Sequence, residues 1–180
     1  IFKKIEDEKE LEERRREGFT ILDNVNERTV FFWNNRNARR KQSGSLIYWF
    51  KKFLDDVGHD KATLLMHTDP KDPHGQDLEY IINHLELNKG QVYLSRAKVE
   101  PQYLSVMYNI CDCTISISDA EGFGLATLES LACETPIIAT MTGGLQEQVT
   151  DGENWFGIGL EPVSKAIIGS QEIPFIYEDR

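Results

Sequence analysis

The sequence of 180 residues is marked first by what it is short of. No apolar run approaches the roughly 20 residues that a membrane-spanning helix needs, so no transmembrane segment is expected. No basic stretch leading into an apolar one opens the chain, so no secretory leader is read there and a cytoplasmic setting is expected. Cysteine is scarce: Cys111, Cys113 and Cys133 form no C-x-x-C pair and no zinc-type spacing. Buried reduced thiols are the expectation, with neither a disulfide framework nor a metal site. Positive charge is also in deficit, 20 Lys+Arg against 30 Asp+Glu, for a net charge of -10. Duplex nucleic acid needs a basic face, so nucleic acid is not an expected partner. A small anion is not excluded, because a local cluster can oppose the overall sign. The length and the 40% hydrophobic content still suffice for a sizeable core without staples.

Several nucleotide motifs are missing as well. There is no G-x-x-x-x-G-K-[ST], which removes the P-loop NTPases at motif level. No Asp-x-Asp pair occurs, so a metal-bridged diphosphate site has no support. Gly122-Phe-Gly124 is followed by Thr127 where a dinucleotide fingerprint has its third glycine. The acid expected after the next strand is replaced by Ala139-Thr-Met-Thr, which argues against a nicotinamide oxidoreductase.

What is present is a regular alternation. Residues 1–17 are dominated by charge, with Glu10 and Glu12 four residues ahead of Arg14 and Arg16, which favours a solvated helix stopping near Gly18. Residues 1–28 thus read as a charged helix and linker ahead of a domain over 29–180. Short apolar runs at Thr29–Trp33, Ala62–His67, Gln91–Leu94, Cys113–Ser118 and Pro136–Ala139 read as strands. Between them, helical spacing appears after Ser43, a candidate cap, and over Gln76–Leu85, Pro101–Tyr108 and Leu125–Cys133. Another helix begins at Leu145. Strands alternating with helices predict an α/β, Rossmann-like doubly wound parallel sheet. After Gly152 the pattern fades, and the stretch 153–180 has no assigned elements.

Three loops carry chemistry. Arg36, Arg39, Arg40 and Lys41 follow a strand directly, where an open parallel sheet places its ligand crevice. Guanidinium forks and an ammonium suit phosphate oxygens, although a solvated basic loop is the plainer reading. Glu121-Gly-Phe-Gly124 is a glycine turn between strand and helix, so backbone can approach a ligand and free N–H groups can face an anion. Glu129, in the following helix, could accept from ribose hydroxyls or merely complement the helix dipole. Thr142-Gly143-Gly144 is a second strand-to-helix glycine loop that could wall the same crevice. His67, Asp69, Asp72 and His74 cluster around prolines without fixed ligand geometry and read as a polar loop.

The combination is more specific than its parts. Ser118-Asp-Ala-Glu121-Gly-Phe-Gly-Leu-Ala-Thr-Leu-Glu129-Ser-Leu-Ala-Cys-Glu-Thr-Pro136 resembles the signature of retaining glycosyltransferases of the two-Rossmann-domain (GT-B) fold, in which two glutamates are separated by seven residues. Thr142 to Gly152 continues the likeness, and Arg36 and Lys41 stand five apart after a strand, as the family's diphosphate-binding pair does. The likeness runs from about Thr29 to Gly152 and matches the C-terminal, donor-binding half of such enzymes. It implies that Arg36 and Lys41 hold the diphosphate of a UDP-, GDP- or ADP-sugar and stabilise it as it leaves, without a metal or other cofactor. It implies that Glu121 and the backbone amides of Phe123, Gly124 and Leu125 lie by the donor sugar. Gly143 and Gly144 would complete the wall, Glu129 would bind the ribose, and the loop from Arg96 to Val99 would flank the base. A sugar or glycan acceptor would be bound by an N-terminal domain not seen in this sequence, and the piece alone is not expected to turn over. Two departures stand out: Glu134 where the family often has Gly, at a steric cost if the turn needs φ > 0, and Asn34-Asn35 where Gly is common. A non-catalytic nucleotide- or partner-binding module of the same fold is the other class the residues leave open.

Overall fold

The computed structural model describes residues 1–20, 22, 24–168 and 176–179. In chain order the elements are α1 (Glu8–Gly18), β1 (Thr29–Asn34), α2 (Ser43–Val57), β2 (Ala62–His67), α3 (Leu78–His84), β3 (Val92–Ser95), α4 (Pro101–Asn109), β4 (Cys113–Ser116), α5 (Leu125–Ala132), β5 (Ile137–Thr140), α6 (Leu145–Val149), β6 (Gly157–Leu160), β7 (Lys165–Ile168) and β8 (Ile176–Asp179). The first six strands form one sheet in the order β3-β2-β1-β4-β5-β6. Every pairing in it is parallel. This is the expected doubly wound α/β architecture.

Burial on both faces makes the neighbouring strands β1 and β2 mostly apolar, and the period of two sends alternate side chains into separate cores. Trp33 of β1 with Leu64 and Met66 of β2 enter a core with Leu46, Ile47, Phe50 and Leu54 of α2 and Leu78 of α3. Val30, Phe32 and Leu65 enter a second core with Tyr108 and Ile110. Phe19 and Val25 belong to that second core, and Leu11 of α1 packs against it. The Arg15 guanidinium reaches Asp112 in a two-pronged contact (2.9 and 2.8 Å), and Asp112 also accepts from the Val30 amide at 2.6 Å. The segment before residue 29 is therefore packed onto the sheet rather than held away from it. The predicted Glu10–Arg14 and Glu12–Arg16 pairs form on its outer face. Asp7 caps its start by accepting from the Lys9 and Glu10 amides.

Two local expectations change. Ser43 does not cap α2: Gln42 holds the cap position in a left-handed conformation, and the Ser43 hydroxyl donates to the buried Asn37 side chain at 2.7 Å. Regularity also continues past Gly152, because β6 pairs with β5 through Ile138 and Ile158. Its glycines hide the strand pattern, yet a Cβ at Gly157 would stand 2.5 Å from the Ile137 carbonyl oxygen. Beyond it, β7 and β8 form an antiparallel pair separate from the main sheet. Of the unassigned stretch 153–180, residues 169–175 and 180 lie outside the described residues.

Candidate functional site

Strand order reverses between β1 and β4, and in open α/β sheets the ligand crevice lies at such a switch point. A cavity of about 430 Å³ opens there, lined from β1 by Asn34 with Asn35, Arg36 and Lys41, from β4 by Ser116, and from the next loop and helix by residues between Glu121 and Glu129.

Three loops are tied together around it. Arg40 donates to the Ala120 carbonyl at 2.6 Å, its own carbonyl accepts from the Asp119 amide, and Gln42 donates to the Asp119 carboxylate at 2.7 Å. The loop after β5 then presses onto the loop after β4. The Gly144 amide donates to the Gly122 carbonyl at 3.0 Å. Gly143, at φ 51°, lies so close that a Cβ would run into the Glu121 carbonyl oxygen. Gly124 begins α5 at φ 82°, with Leu145 packed where its side chain would be.

The charged groups meet in pairs. Lys41 is largely enclosed and donates to the Glu121 carboxylate. Burial pulls the Lys41 pKa below the ordinary lysine value, a pull that Glu121 opposes. Arg36 is more exposed and grips Asp72 through Nε (2.6 Å) and Nη2 (3.2 Å), with Nη2 also 2.7 Å from His74 Nδ1. That contact holds the Asp72 carboxyl well below the usual carboxylate range. Glu129 accepts from the Tyr108 hydroxyl at 2.9 Å, and burial raises its pKa above the ordinary glutamate value.

Of the residues singled out by sequence, Arg36, Lys41, Glu121, Phe123, Gly124, Leu125 and Glu129 share this cavity. Gly143 and Gly144 support it from behind through their contact with Glu121 and Gly122. Arg96 does not join them: it pairs with Glu79 of α3 and lines a separate cavity beside β3. Val99 is not among the lining residues of either cavity, whereas Leu104 of α4 contributes to the first. The cysteines are free, with Cys111 and Cys133 buried and Cys113 half-buried, where burial pushes the Cys113 thiol up to about 11.

Sequence reasoning missed two positions. Asn37 is fully buried and ties the basic loop to the following one, donating to the Gln76 carbonyl at 2.7 Å while accepting from Ser43. Tyr108 entered only as the end of a helical stretch, but its hydroxyl bonds to Asn34 and Glu129 of the site. The one signal available was its polar tip, on a helix face that it shares with Ser105.

The fold and cavity define a Rossmann-like α/β domain with its crevice at the switch point. Residues 15–165 match the model of the glycosyl transferases group 1 family, and the chain belongs to that family. A D-inositol 3-phosphate glycosyltransferase of Acidothermus cellulolyticus is 46% identical over 69 residues, 38% of this chain and 15% of that protein. The C-terminal domain of a glycosyl transferase group 1 family protein from Francisella tularensis superposes with a TM-score of 0.65 at 22% identity, covering 91% of this chain and 79% of that one. An Anabaena protein solved in complex with UDP and glucose gives a TM-score of 0.66 at 20% identity, covering 87% of this chain and 39% of that one. The fold is that of the C-terminal domains of GT-B glycosyltransferases.

Proposed function

We propose that this domain binds the nucleotide-diphosphate sugar donor of a retaining, metal-independent glycosyl transfer, with the acceptor held by a companion domain. The observation that carries the reading is the convergence of Arg36, Lys41, Glu121 and Glu129 on one cavity at the sheet's switch point. An ammonium has three donors, and the Glu121 contact uses one, so Lys41 keeps capacity for phosphate oxygens. Arg36 spends Nε and Nη2 on Asp72 and His74, which leaves Nη1 for a further acceptor. Both cations would offset the charge that develops as the diphosphate departs. Glu121 would face the donor sugar together with the amides at the start of α5, and Glu129, an acceptor when ionised, suits the paired hydroxyls of a ribose. Asp72 and Glu121 offset the charges of Arg36 and Lys41, so a donor must share or displace them. A cytoplasmic setting fits a nucleotide-activated donor.

Calorimetric titration with UDP-, GDP- and ADP-sugars tests the reading. Binding of one of them is expected, with Arg36→Ala or Lys41→Ala weakening it by about 10-fold or more, the value of a lost charge-assisted hydrogen bond. No binding to any of the three, with the circular dichroism of a folded α/β protein, would overturn it.

A further inference from the structure

The cavity has a buried floor that the donor-binding assignments leave without a role. Asn34, the last residue of β1, donates through Nδ2 to the Tyr108 hydroxyl at 2.8 Å. That hydroxyl donates in turn to Glu129 Oε2 at 2.9 Å. A phenol has one hydrogen, so the direction of the chain is fixed: amide to phenol to carboxylate. Tyr108 is 0% exposed, and its ring is held edge-on by Phe32 at 4.9 Å and by Phe2 at 6.0 Å between centroids. The Thr135 hydroxyl fastens its carbonyl at 2.9 Å. A ring pinned on these sides presents its oxygen at a fixed point.

The consequence falls on Glu129. This side chain is half-buried and has torsional freedom of its own, and Tyr108 donates to one of its oxygens from below. Oε2 is thereby anchored, which leaves Oε1 and the remaining lone pair of Oε2 as further acceptors on a side chain that lines the cavity. Asn34 and Glu129 both line that cavity, whereas Tyr108 does not. We infer that Tyr108, oriented by Asn34, is a positioning residue that sets the Glu129 carboxylate for two adjacent hydroxyls of a bound nucleotide's ribose. The inference rests on the reading of Glu129 as the ribose acceptor, and it adds selectivity for ribo- over dideoxynucleotides through a residue that never touches the ligand. It also couples the end of β1, which carries Arg36 two residues on, to the ribose end of the crevice.

The test compares UDP, GDP and ADP with their 2′,3′-dideoxy analogues by calorimetry on the whole chain, using whichever base binds most tightly. The parent is expected to prefer the ribonucleotide. Tyr108→Phe keeps the ring and its packing, and should weaken the ribonucleotide about fivefold while leaving the dideoxy analogue unchanged, because one charge-assisted hydrogen bond is lost. Asn34→Ala leaves the ring in place but frees the hydroxyl, and should lower the same ratio by a smaller factor, which keeps the test open if the phenylalanine variant melts early. Glu129→Gln should abolish most of the preference. A Tyr108→Phe protein with the parental preference, alongside a Glu129→Gln protein that has lost it, would overturn the positioning role and leave the Glu129 assignment standing. A preference unmoved by Glu129→Gln would overturn both.

Discussion

Lys41 and Glu121 form an ion pair across the junction of two loops, with their side chains only 7% and 13% exposed. Two charges so enclosed depend on each other. Removing one leaves the other desolvated and unpaired, which costs more than the pair's own net worth. Glu121→Gln is therefore expected to lower stability by about 3 kcal/mol in urea unfolding. Lys41→Met combined with Glu121→Leu should cost clearly less than the sum of the single changes. Strict additivity of the two costs would show that the pair carries no coupling.

Gly143 separates steric demand from backbone demand. Its φ of 51° disfavours any L side chain, and a Cβ would also collide with the Glu121 carbonyl. Gly152 has φ 94° but open space around it. Gly152→Ala should thus cost about 1–2 kcal/mol, the left-handed penalty alone. Gly143→Ala must in addition push the loop after β4 out of place, and should lose on the order of 3 kcal/mol together with most nucleotide affinity. Thermal melting and a nucleotide titration on both variants would separate the two effects; equal behaviour would remove the loop-to-loop contact from the account.

The sequence was most legible where burial on both faces of the sheet forces apolar runs, as in Val30–Trp33 and Leu64–Met66. The glycine loops were legible too, since close backbone contact leaves few residue types able to serve. What stayed hidden depended on distant partners. Asn37 looks like any residue of a polar loop until Ser43 and Gln76 are folded against it. The Tyr108 hydroxyl has a role only because β1 and α5 meet over it. Arg96 followed the right strand, but its reach is captured by Glu79 on the neighbouring helix. Gly157 and Gly159 erased the apolar signal of β6 in order to let it lie against β5 and Met141.

Protonation of Glu129 should affect stability and binding in opposite directions. Burial raises its pKa in the folded protein above the ordinary 4.5, with Tyr108 opposing the shift. Between 4.5 and that raised value the folded chain holds more protons than the unfolded one, so this group's contribution to stability falls as pH rises. Glu129→Gln removes the effect, and should gain stability relative to the parent at pH about 7 compared with pH about 5. Nucleotide-sugar binding, free of a terminal phosphate that titrates at pH about 6, runs the other way because the ribose needs the ionised acceptor: parental affinity should drop on acidification through the same window, and the glutamine variant should not follow it. Denaturant melts and titrations at the two pH values check both signs.

Glu134 occupies a turn built for another residue. It follows α5 at φ 57°, its amide donates to the Leu131 carbonyl at 2.9 Å, and the next amide, of Thr135, donates to the Ser130 carbonyl at 3.0 Å. This pair of bonds is the Schellman closure, whose left-handed position is usually glycine. A side chain there costs about 1–2 kcal/mol in backbone strain. Against the gain from Glu134→Gly stand the larger conformational entropy of an unfolded glycine and the loss of the solvent-exposed contact to Lys4 at 3.0 Å. Exposed pairs contribute little, so the strain term should win and the variant should be more stable by about 0.5–1 kcal/mol. That is a rise in melting temperature of roughly 1–4 °C for a domain of this size. Glu134→Asn, which tolerates the same conformation and keeps a polar side chain, should fall between the two proteins. A lower melting temperature for the glycine variant would mean that the Lys4 contact, and with it the docking of the N-terminal segment, outweighs the turn.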